Sequence, residues 1–343
     1  MRERKRYLDY AKGFGILCIV LAHCIQYFKP MIPLNKFVCS FHVPVFFVVS
    51  GFLAWINRNK DISFNLFVKR RACFLLIPYV IYSLFNSTLK LSVLALKNAI
   101  SAEAIKDEMV ALFITGNGTV WFLVTLFIVE VLFFLVKPYI GKWALYISVV
   151  FLILPYMLYP FLQFSVGVVI IRVIAAIGFY LFGYKLCELI ESVSKQVHRC
   201  IYLFVVISGT ASYFILGSNF AFFDGKFQGP VYSLISGVLL SAAVVCGCKC
   251  LEEESSLNNS LISNVLEFFG KNSIIVMLIH PTILLLFTYP FAAKFWGMDG
   301  FISVITAIFL FLIISVVQVP VVYVVNRWFG WTLGRIKKVE KNG

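Results

Sequence analysis

The chain has 343 residues, 61% hydrophobic and only 13% charged, with a formal net charge of +14. Ordinary soluble domains are about half apolar and about a quarter charged, so a soluble globule is excluded, as are disorder, collagen and a disulfide-stapled miniprotein. What remains is an all-α polytopic membrane protein.

A spanning helix needs about 20 mainly apolar residues. Ten stretches are predicted to cross: 13–28, 37–56, 72–93, 120–137, 143–162, 166–190, 200–216, 231–250, 273–295 and 301–328. Barrel strands would alternate over about ten residues, whereas these runs are apolar on all sides. They are expected to form a single integral membrane domain over 1–343, with no soluble extracytoplasmic domain. The first run follows Arg2, Arg4, Lys5 and Arg6, as a signal peptide would. No small-residue cleavage site follows it, however, and His23 and Gln26 interrupt it, so it reads as a retained first helix.

Lys and Arg concentrate on one side if the N-terminus is inside: Arg58, Lys69–Arg71, Lys137, Lys142, Lys185, Lys195, Arg199, Lys249, Lys271, Arg335 and Lys337. The positive-inside rule then makes both termini cytoplasmic, which an even number of crossings requires. The net charge is read as topology and lipid-headgroup contact, with no nucleic-acid partner.

A charge at mid-bilayer costs at least ~2.5–3.5 kcal/mol, so polar groups inside the runs are the candidates for function. In the first run Lys12 and His23 are eleven residues apart. They differ by only ~20° around a helix axis and by ~16 Å along it. Asp9 lies one turn below Lys12 on nearly the same stripe, where it tunes the Lys12 region and is too far to touch His23. A cationic anchor at the inner edge and an imidazole deeper in the membrane suit an extended cytosolic molecule with an anionic head and a reactive tip. The plainer alternative is a snorkelling lysine and a histidine bonded between helices.

In the second run Pro44 suits a helix first turn, His42 falls near the outer face, and Ser50-Gly51 permit close packing. Lys69-Arg70-Arg71 at the inner end of the third run are a topology signal, a phosphate clamp, or both. The loop 94–119 carries Lys97, Lys106, Asp107 and Glu108 and then Gly116-Asn117-Gly118, and is expected to hold a re-entrant or surface helix with a turn. Glu130 and Arg172, inside the fourth and sixth runs, need partners or a polar cavity. His198 reads as solvated in a charged inner loop. Cys246, Cys248 and Cys250 form a C-x-C-x-C run, either packed thiols or a metal or lipid attachment point. No spacing fits a zinc site, and no metal is expected. His280 stands beside Pro281 as an intramembrane histidine.

Four blocks together resemble the acyltransferase 3 family of integral membrane acyltransferases, in its fucose 4-O-acetylase-like branch. They are Leu8-Asp9-x-x-Lys12-Gly13 with His23; Phe41-His42-x-Pro44-x-Phe46-Phe47-x-x-Ser50-Gly51-Phe52; Lys69-Arg70-Arg71 with Pro78 and Trp121-Phe122-Leu123; and Gly270-Lys271-Asn272-Ser273 ending in His280-Pro281. The resemblance runs from about Arg4 to Trp328. It implies transfer of an acyl group, usually acetyl, from cytosolic acyl-CoA to a carbohydrate hydroxyl in a bacterial inner membrane. His23 would be the catalytic histidine, and Lys12, Arg70 and Arg71 would hold the donor. Acyl-CoA is then a co-substrate, with no permanently bound cofactor.

A sugar hydroxyl is a poor nucleophile, and a positioned imidazole takes its proton as it attacks the thioester. Alternatively, His23 itself accepts the acyl group. The oxyanion needs donors, for which Ser50, Asn272 and His280 are candidates. His42 is a possible acceptor contact, and Trp121 a platform for a sugar ring or a belt aromatic. The competing reading is a proton-coupled secondary transporter or flippase, which also uses intramembrane His, Glu and Arg. Inverted repeats, common in transporters, are not visible.

Overall fold

The computed structural model describes residues 4–96, 98, 100–217, 220–227, 231–254, 257–288 and 300–335. Arg2, Lys97, Lys337 and the part of the predicted span 273–295 beyond Thr288 lie outside them.

Helices dominate. They are α1 (Arg6–Ile25), α2 (Ile32–Cys39), α3 (Pro44–Ile56), α4 (Phe64–Leu96), α5 (Ala102–Val110), α6 (Trp121–Ile140) and α7 (Ala144–Leu158). They continue as α8 (Ser165–Glu191), α9 (Lys195–Leu216), α10 (Leu234–Glu253), α11 (Leu261–Lys271), α12 (Ser273–Thr288) and α13 (Gly300–Trp328). A two-stranded antiparallel hairpin, β1 (Phe220–Ala221) with β2 (Lys226–Phe227), sits between α9 and α10.

Among the described residues, eight helical segments are long and apolar enough to cross a membrane, and nine if α11 and α12 count as one broken span. One of the eight, Trp121–Phe161, covers 41 residues. As a single rod it would measure about 60 Å, twice the ~30 Å hydrocarbon layer. It breaks at Gly141, whose φ of 31° favours glycine, into α6 and α7. Read as two crossings, this segment brings the count to the ten expected. The first described residues and Arg335 lie on one face of the bundle, as an even number requires. Arg6 bonds Glu267 at the end of α11, and Arg335 lines a cavity together with Lys12.

The long α1 is the buried axis. It packs against α11, α10, α3, α12 and α13. Two glycine pairs let helices approach closely. A Cβ on Gly13 would lie 1.9 Å from the Leu266 carbonyl oxygen, and one on Gly270 would lie 1.8 Å from that of Asp9. Likewise Gly51 faces Tyr180 and Gly183 faces Val48, which seats α3 on α8. The close packing expected at Ser50-Gly51 is therefore present, and small residues of this kind let backbones meet in a membrane. Pro44 opens α3 at its first turn, as expected.

The loop before α6 holds the surface helix α5, capped by Ser101, whose hydroxyl accepts from the Ala104 N–H. The 33-residue α4 is about 50 Å long, so it projects beyond the hydrocarbon and carries Lys90 to the buried Glu108 of α5. Glu108 also accepts from Ser87 at 3.1 Å. Gly116 and Gly118 then turn the chain with φ of 75° and 52°.

Cys246 and Cys248 are buried on α10 and Cys250 is half-buried, so the run is packed into the helix. His198 corrects its sequence reading. It is buried, its Nδ1 lies 2.8 Å from Glu253 Oε1, and its Nε2 lies 2.7 Å from the Ile190 carbonyl. A charged neighbourhood in sequence is here a buried one, because Glu253 and the Ile190 carbonyl take up the ring. The ring instead ties α9 to α8 and α10.

Candidate active site

The inner end of α1 begins with Asp9. Its carboxylate is buried between Arg4 at 2.6 Å and Lys12 at 2.7 Å. The i,i+3 spacing of Asp9 and Lys12 puts both on one stripe, as the sequence indicated. Asp9 holds the Lys12 ammonium in place while Arg4 offsets its charge.

Lys12 opens into a cavity of about 270 Å³. Ser50, Arg71, Glu130 and Asn272 line it too, together with Lys271 and Arg335. Four cations and one carboxylate thus surround a small space at the inner end of the bundle. The partner that Glu130 requires is Arg71, at 2.9 Å. Glu130 Oε2 has no bonded partner among the described residues. Arg70 is exposed and stands outside this lining, so the cavity receives one of the two arginines expected there.

Asn272 sits at the 84° bend between α11 and α12. Its amide donates to the Phe268 carbonyl at 2.8 Å, and its oxygen accepts from Asn326. Asn326 in turn accepts from Arg335. The bend therefore carries a polar chain into the cavity wall.

Higher on α1 stands His23, partly buried. Its ring centroid is 5.2 Å from that of the fully buried His280, at a tilt of 44°. His42 lies within electrostatic reach of the same ring. Three of the chain's four histidines therefore meet, from α1, α12 and the turn before α3. His42 Nδ1 lies 3.0 Å from the Val38 carbonyl and His280 Nδ1 lies 2.9 Å from that of Val276. A carbonyl only accepts, so in both rings Nδ1 carries the proton that binds it.

Pro281 has no N–H for the Met277 carbonyl one turn back. Thr119, just before α6, donates its hydroxyl to that oxygen at 2.6 Å. The loop thus braces the helix turn that carries His280.

An extended molecule anchored at Lys12 would have to reach His23 along α1. The cavity at Lys12 does not have His23 in its lining. Between them lies Phe46, whose ring packs on Gly15 of α1 and meets Phe122 edge-on at 5.7 Å. Both rings line the cavity and form its inner wall. The two groups share a stripe, and the Phe46 ring sits against Gly15, between them along α1.

Among the described residues Arg172 has no carboxylate in hydrogen-bond range, with Asp224 only within electrostatic reach. It donates to the carbonyls of Thr115, Phe222 and Phe223, and so clamps the outer loop to the β-hairpin. Its guanidinium lies 4.8 Å from the centre of the Trp121 ring. Trp121 is buried, with Phe222 nearly parallel to it at 6.3 Å, and it presents no open face to a sugar. One residue escaped the sequence reading: Gln318, buried on α13, with neither amide atom bonded among the described residues. A polar residue within an apolar run was the available signal.

A bundle of membrane-length helices with a cationic cavity at one end and an imidazole cluster deeper on the same helix defines an integral membrane protein with an enzyme-like buried site. The acyltransferase 3 family model, described as an acyltransferase domain, matches residues 5–325, and the chain belongs to that family. It is also similar to the nodulation protein NolL of Mesorhizobium japonicum, with 25% identity over 264 residues. That match covers 71% of this chain and 66% of NolL. No solved structure matches the chain.

Proposed function

We propose that the chain is a membrane-embedded O-acyltransferase that moves an acyl group, acetyl in the first instance, from cytosolic acyl-CoA to a hydroxyl of a cell-surface or lipid-linked carbohydrate. On this reading it works in a bacterial inner membrane, with the Lys12 cavity facing the cytosol. The observation that carries the proposal is the meeting of Lys12 and Arg71 in one cavity below His23, within a chain of the acyltransferase family.

The cations of the cavity suit the phosphates of the donor. Ser50 and Lys271 line the same space and are available to a polarised thioester oxygen. His23 takes the proton of the acceptor hydroxyl as its oxygen attacks the thioester carbonyl. For the two to meet, Phe46 and Phe122 must move apart when the donor enters, or the acyl chain must pass between them.

The test is acyl transfer from labelled acetyl-CoA in membrane vesicles, followed by analysis of the glycan. Labelled glycan in wild type and its loss in His23→Ala support the reading. Equal labelling removes the role of His23. Sugar uptake by proteoliposomes lacking any acyl donor would favour the carrier reading instead.

A further inference from the structure

We infer that His280 is a positioning residue for His23: its Nε2 accepts a hydrogen bond from the His23 imidazole and leaves the other His23 ring nitrogen free to act as base. The inference rests on the role proposed above for His23.

Four observations carry it. His280 is fully buried. Its Nδ1–H is committed to the Val276 carbonyl at 2.9 Å, so the ring is held in one tautomer with a lone pair on Nε2. That Nε2 has no bonded partner among the described residues, although a buried acceptor normally finds one. Finally, the neighbouring ring is that of His23, with centroids 5.2 Å apart. The turn bearing His280 is itself pinned by the bond from Thr119 to the Met277 carbonyl, so its ring is the fixed member of the pair. His23 is the more accessible and turns to meet it. Bonds between catalytic groups are commonly long without substrate and tighten in the reacting complex.

The chemistry balances. The acceptor O–H bond breaks and its proton goes to the free nitrogen of His23. The acceptor oxygen forms a C–O bond to the acyl carbon. The C–S bond breaks, and the departing thiolate takes the proton back from His23 to leave as a thiol. Between these steps His23 is an imidazolium, and the lone pair of His280 receives a charge-assisted bond from it. Among the described residues His23 has its ring contact with His280, whereas His42 lies only within electrostatic reach of it.

The test uses full-length protein in vesicles with acetyl-CoA and the glycan acceptor. His280→Leu keeps the volume and removes the acceptor atom. It is expected to lower kcat about 100-fold with both KM values within about twofold. His280→Gln, whose amide oxygen can accept, is expected to recover at least about a tenth of wild-type kcat. In a His23→Ala background, His280→Leu is expected to change nothing further. A further loss in that background, or an unchanged kcat in His280→Leu, overturns the inference while leaving the role of His23 intact. Full activity in His23→Ala overturns both.

Discussion

Arg71 on α4 and Glu130 on α6 form an ion pair, at 2.9 Å, in the wall of the cavity that also holds Lys12. Glu130 is buried and one of its oxygens has no bonded partner among the described residues, so Arg71 is its principal compensation. Under the proposed function Arg71 also faces a donor phosphate from the cavity that it shares with Lys12, so the pair would join stability to binding.

Removing one member of a buried pair leaves an uncompensated charge and typically costs about 3–5 kcal/mol, whereas replacing both with apolar residues is often neutral. Arg71→Met is therefore expected to unfold at a clearly lower temperature in detergent. Adding Glu130→Leu should restore most of the loss without restoring transfer activity. A double variant as unstable as Arg71→Met would show that the pair does not couple.

The glycine contacts make a sharper structural test. Gly13→Ala and Gly51→Ala would drive a Cβ to within about 2 Å of a backbone oxygen and force two helices apart. Overpacking of this kind costs about 1–3 kcal/mol or more. Gly330→Ala meets nothing within 4 Å and is expected to be neutral. Thermal unfolding of the three variants in one detergent distinguishes these outcomes, and equal midpoints would contradict the packing of α1 on α11 and of α3 on α8.

Phe46→Ala tests the aromatic wall. Removing that ring enlarges the cavity at Lys12 at the level of Gly15, on the way along α1 to His23. Water then gains access, and thiol release from acetyl-CoA without acceptor is expected to rise severalfold. An unchanged rate would mean that the barrier lies elsewhere.

Arg172 is a structural clamp in this account, since its three acceptors are carbonyls. Arg172→Lys keeps the charge but loses the planar fork of donors. It is expected to make the outer loop more sensitive to protease added from that side, while transfer kinetics in intact protein stay within about threefold of wild type. A loss of transfer with no change in proteolysis would give Arg172 a direct role instead.

Much of this arrangement was legible in the residues. Hydropathy located the crossings because a bilayer demands long apolar runs. The helical repeat put Asp9, Lys12 and His23 on one stripe, and Ser50-Gly51 announced a close helix contact. What stayed hidden depended on which helices adjoin. Runs that are apolar on every side carry no phase, so nothing local pointed Glu130 to Arg71 or Arg172 to loop carbonyls. The burial of His198 required α8 and α10 to be placed. The Phe46–Phe122 wall was illegible for the same reason, as aromatic residues abound and only packing selects the two that interpose. His280 was visible as a polar residue in an apolar run, but its nearness to His23 is a fact of tertiary structure.

The central claim is that His23 is the base or acyl acceptor of a transfer that starts from a cytosolic thioester. Its most direct measurement is the amount of labelled acetyl reaching glycan from acetyl-CoA in vesicles carrying equal amounts of folded wild type and His23→Ala. The account expects labelling in the wild type and a fall of about 100-fold or more in the variant; equal labelling in both would contradict it.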